Sequence, residues 1–168
     1  MKKAIFLIFL LFIILPAFSL TGLQIGSKVP DNAVKLENQV VLSAPSQFQN
    51  AYEWTEDDIE YLLGVDDDEY VQFIGLVGNE KSTEENIKRG DNFSKVKKIQ
   101  NIKISYWFEW GYCVELPSGW ILKFKNNEAY DYYRDGISSS ALLKTISDNA
   151  VVSLIFKGSE AGYGKRLK

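Results

Sequence analysis

Apolar and polar positions alternate through the C-terminal half of this 168-residue chain, and the alternation predicts strands. Tyr112, Val114 and Leu116 share one face of a strand, and Trp120, Leu122 and Phe124 share the same face of the next. Pro117-Ser118-Gly119 joins them as a three-residue hairpin loop, with Gly where a positive φ is needed. That register opposes Leu116 to Trp120, Val114 to Leu122 and Tyr112 to Phe124. Cys113, Glu115, Ile121, Lys123 and Lys125 take the other face, as in a sheet packed on one side. Upstream, Ile99, Ile102, Ile104, Tyr106 and Phe108 predict a long strand ending near Trp110-Gly111. Downstream, Asn126-Asn127 reads as a tight turn into a strand over Glu128 to Arg134, and Ala150 to Lys157 as a closing strand.

The N-terminal half is patterned differently. Residues 20–37 read as an extended entry segment, and Asn38 to Ser43 as a strand. Thr55 to Gly64 predicts a helix: Thr55 caps it, the acids of its first turn suit the positive end, and Gly64 stops it. Ile59, Leu62 and Leu63 then fall on one helical face. Glu69 to Val77 predicts a strand, Thr83 to Arg89 a short helical turn, and Ser138 to Ser147 a helix burying Leu142, Leu143 and Ile146. Gly158 to Lys168 reads as a loose tail. The expected fold class is α+β and β-rich, a single small domain with an antiparallel meander plus about two helices.

Residues 1–19 change the picture. Met1-Lys2-Lys3 is basic, Ala4 to Leu15 is an unbroken apolar run, and Pro16-Ala17-Phe18-Ser19 places small residues before a cut at Leu20. This is the layout of a secretory signal peptide. The apolar run is about 12 residues, against roughly 20 for a spanning helix. A retained anchor is the competing reading. Cleavage leaves residues 20–168 as one exported domain, periplasmic or secreted, with 17 basic against 22 acidic residues. That balance argues against nucleic-acid partners, and no integral span is expected after cleavage. Cys113 is the sole cysteine, so no internal disulfide can form, and the absence of His removes histidine-dependent nucleophiles and zinc sites.

The stretch from Arg89-Gly90-Asp91 to Phe124 resembles the bacterial SH3-like domains of exported proteins. Tyr112-Cys113-Val114-Glu115-Leu116, Pro117-Ser118-Gly119 and Trp120-Ile121 fill the family's Tyr-x-Val-x-Leu strand, Gly turn and Gly-Trp-hydrophobic strand. Gly111 stands where the family usually has Trp. The resemblance implies a small SH3-like barrel that binds cell-wall peptide or protein ligands without catalysis.

Three constellations bear on function. Tyr106 to Tyr112 is dense in aromatic rings, and Trp107, Trp110, Tyr112 and Trp120 are the candidate ligand-binding residues, since Trp and Tyr recur at binding hot spots. Core filling is the bland alternative. Nine acids and no base lie between Glu53 and Glu69. Their spacing fits a solvated loop better than a calcium site. No metal, cofactor or catalytic residue is assigned. Glu109 and Glu115 are the carboxylates a small envelope-glycan hydrolase would use, and a purely structural envelope protein is the third reading. The expected partner is a cell-wall component or an envelope protein.

Overall fold

Ten strands and one helical turn run through the described part of the chain. They are β1 (Val34–Leu36), β2 (Val41–Ser43), β3 (Ser46–Phe48), β4 (Asn50–Glu56), β5 (Ile59–Val65), β6 (Val71–Leu76), α1 (Phe93–Val96), β7 (Lys103–Trp107), β8 (Gly111–Glu115), β9 (Ile121–Lys125) and β10 (Val151–Gly158). The structure, a computed structural model, describes residues 22–37, 41–43, 46–48, 50–107, 111–125, 143–144 and 146–158. Eight strands form one open antiparallel sheet in the order β1-β4-β5-β6-β10-β9-β8-β7, and β2 pairs with β3 apart from it. Two meanders thus meet side by side, joined where β6 lies against β10.

The α+β expectation with about two helices, including its small SH3-like-barrel variant, is corrected: this is one open eight-stranded sheet. No helix of seven residues or more occurs among the described residues. The expected helix at Thr55 to Gly64 is a hairpin, with Tyr52 opposite Leu63, Trp54 opposite Tyr61 and Glu56 opposite Ile59. The competing signal was the two-residue period of Ile59, Tyr61, Leu63 and Val65, which places four apolar side chains on one face of a strand. Asp57 and Asp58 make the turn at φ 49° and 60°, the doubly left-handed geometry of a tight hairpin. The expected turn at Thr83 to Arg89 is non-helical, and the expected helix at Ser138 to Ser147 falls largely outside the described residues.

The β8–β9 hairpin takes the register read from its alternation. Val114 opposes Leu122, Leu116 donates its N–H to the Trp120 carbonyl at 2.7 Å, and Gly119 turns at φ +85°. Tyr61, Leu63, Ile74, Leu76, Val114, Leu116, Trp120, Leu122 and Ile155 bury one face of the sheet, and Phe73, Cys113, Ile121 and Phe156 are buried on the other. The segment between the meanders crosses the larger face. It lays Ile87, Phe93 and Val96 into the core, and Phe93 meets Phe124 edge to face at 5.5 Å.

A candidate ligand site at a seam in the sheet

Strand β10 changes partners part-way along its length. Its C-terminal half pairs with β6, from Gly158 opposite Phe73 to Phe156 opposite Gly75. Beyond Leu76 the chain of β6 leaves the sheet, and residues 90–92 take its place beside the start of β10. Gly90 donates to the Val152 carbonyl and Val152 donates to the Asp91 carbonyl, both at 2.9 Å. Gly90 holds φ +91°, a conformation that costs a residue with a Cβ, and this permits the chain to enter there. Between the two partners β10 has a bulge near Ser153, where its register against β9 shifts. The Ser153 carbonyl is met by a side chain: Arg89 Nε donates to it at 3.1 Å. The Ser153 hydroxyl donates across to the Lys123 carbonyl at 3.2 Å.

This seam opens as a basin of about 320 Å³, bounded by Asn79, Arg89, Gly90, Lys125 and the Val151–Ser153 stretch of β10. Two of those residues are cationic and none is acidic. Lys125 is exposed, and among the described residues neither Arg89 nor Lys125 is ion-paired. The nearest acid in sequence is already matched. Asp91 is bonded to Lys95 Nζ at 2.7 Å and to the Lys88 N–H at 2.9 Å. Burial on its own would raise the Asp91 carboxyl, but the bonds and charges of Lys95 and Lys88 outweigh it and hold the group below its ordinary value.

Trp107 lies opposite Gly111 at the end of β7, Tyr112 lies opposite Tyr106, and Trp110 is outside the described residues. Trp120 lies level with Leu116, four residues along β8 from Tyr112, which is about 13 Å at the rise of a strand. It is fully buried, so its ring offers no face to a ligand. Among the described residues its Nε1 has no hydrogen-bond partner, and the Lys157 ammonium sits 4.6 Å from its ring centroid. Glu115 faces Lys103 at 3.9 Å across the β7–β8 pair, both partly exposed, and does not line the basin; Glu109 is outside the described residues.

Within the acidic loop Asp66 is spent on its neighbours. Asp66 accepts from the Asp68 and Tyr70 N–H groups at 3.1 and 2.9 Å and from Gln72 Nε2 at 3.2 Å. Among the described residues no three of Asp, Glu and Cys converge on one point as metal ligands would. Sequence reasoning placed Arg89 at the end of a short helical turn and at the start of the SH3-like stretch, and Lys125 on a mixed strand face. The readable hint was the pair Gly78 and Gly90, which punctuates the segment where β10 exchanges partners. No protein-family model, curated protein or solved structure matches this chain.

Proposed function

We propose that this protein is an exported, non-catalytic binding module that holds an anionic group of an envelope ligand in the seam basin. The observation that carries the reading is the pair Arg89 and Lys125 on an open concavity with no acidic lining. The Ser153 carbonyl anchors the Arg89 guanidinium at Nε, so the remaining nitrogens are held ready rather than having to be ordered on binding. Residues 1–19 supply the expectation of export, and Trp107, Trp110 and Tyr112 remain candidates for contacts outside the basin. The test is co-sedimentation of the full chain with insoluble peptidoglycan at low and moderate salt. A site built on two cations should pellet at low salt and be released as salt rises. A chain that stays in the supernatant at both salts overturns the wall-binding reading.

A further inference from the structure

We propose that the group held in the basin is a carboxylate at the end of a short peptide or aliphatic chain, rather than a phosphate; this rests on the binding reading given above. The donors decide the class. With Nε committed to Ser153, Arg89 keeps its two terminal nitrogens, which match two coplanar carboxylate oxygens end-on. A phosphate site usually adds backbone N–H groups converging from a turn or a helix start. At this seam four such groups are consumed. The Gly90 and Val152 N–H bonds close the strand exchange, the Asp91 N–H goes to the Lys88 carbonyl at 3.1 Å, and the Lys88 N–H goes to the Asp91 carboxylate.

The rest of the basin suits what a carboxylate is attached to. Val151 supplies partly exposed apolar surface, and Asn79 carries both a donor and an acceptor for a peptide unit. Lys125, opposite Val151 in the β9–β10 register, adds a second positive charge. A volume of about 320 Å³ stands at the small end of ligand sites, so it takes a chain terminus rather than a polymer segment.

The test is a titration of the ¹⁵N-labelled full chain with three probes at constant ionic strength: N-acetyl-Ala-Ala, its C-terminal amide, and inorganic phosphate. The free acid should shift the amides of Gly90, Lys125 and Val152 saturably, with the capped peptide and phosphate at least fivefold weaker. Lys125→Gln should weaken the acid at least fivefold with the remaining spectrum unchanged, and Arg89→Lys should do so as well. Because Arg89 also closes the seam, the exposed Lys125 is the variant that separates lost binding from lost folding. Phosphate binding as tightly as the acid overturns the carboxylate assignment. Absence of shifts with the acid, while the chain still pellets with peptidoglycan, overturns the assignment and leaves the binding reading standing. Absence of both overturns both.

Discussion

Lys157 is a half-buried lysine. It lies opposite Ile74 on the large buried face, with its ammonium over the Trp120 ring. Burial lowers its pKa, and the charges of Glu84 and Glu85 only partly restore it. The folded protein therefore holds this proton less tightly than the unfolded chain does. Between the lowered value and the ordinary 10.5 the unfolded chain binds more protons, so this residue's contribution to stability rises with pH across that window. Lys157→Met should accordingly stabilise the protein most at neutral pH, with the gain shrinking towards pH 10.5, as thermal melts across pH would show. A gain that stays constant or grows would contradict the account. Trp120 beneath it is a core residue, and Trp120→Ala should cost about 3–5 kcal/mol in chemical denaturation. Loss of ligand binding without that destabilisation would return Trp120 to the recognition surface.

At the scale of elements, hairpins were legible and their exceptions were not. The β8–β9 pair is written in strict alternation with a Gly-bearing loop, and local chemistry fixes its register. The β4–β5 pair carries the same alternation, but its turn is Asp57-Asp58 in place of Asn-Gly, so the acids read as a helix start instead. Asp58→Gly should relieve the left-handed strain and stabilise the hairpin by about 0.5–1 kcal/mol. An unchanged or lower melting temperature would contradict that geometry. The seam was not legible, because it depends on which strand lies beside β10 and no local period encodes a non-local neighbour. Glu85 shows the same limit. It receives the Ser118 N–H at 2.8 Å and the Ser118 hydroxyl at 2.9 Å, tying the crossing segment to the β8–β9 loop 33 residues away in sequence.

For the whole molecule, two meanders dock through β6 and β10, and the segment that joins them bounds the basin together with β9 and β10. Apart from that basin the chain is net acidic, so the local positive charge of Arg89 and Lys125 runs against the overall sign. Export remains an expectation of residues 1–19, and N-terminal analysis of the mature protein should read Leu20-Thr21-Gly22. An intact Met1 would mean that the apolar segment is retained. The central claim is that function resides at the seam, and matched charge reversals on the same insoluble peptidoglycan test it most directly. Lys125→Glu is compared with Lys98→Glu, an exposed lysine that does not line the basin. Lys125→Glu should lose about tenfold or more in affinity, about 1.4 kcal/mol, while Lys98→Glu stays within about twofold of the unmodified chain. Equal losses for the two would mean that binding follows the net charge of the surface, and the seam would not be the site.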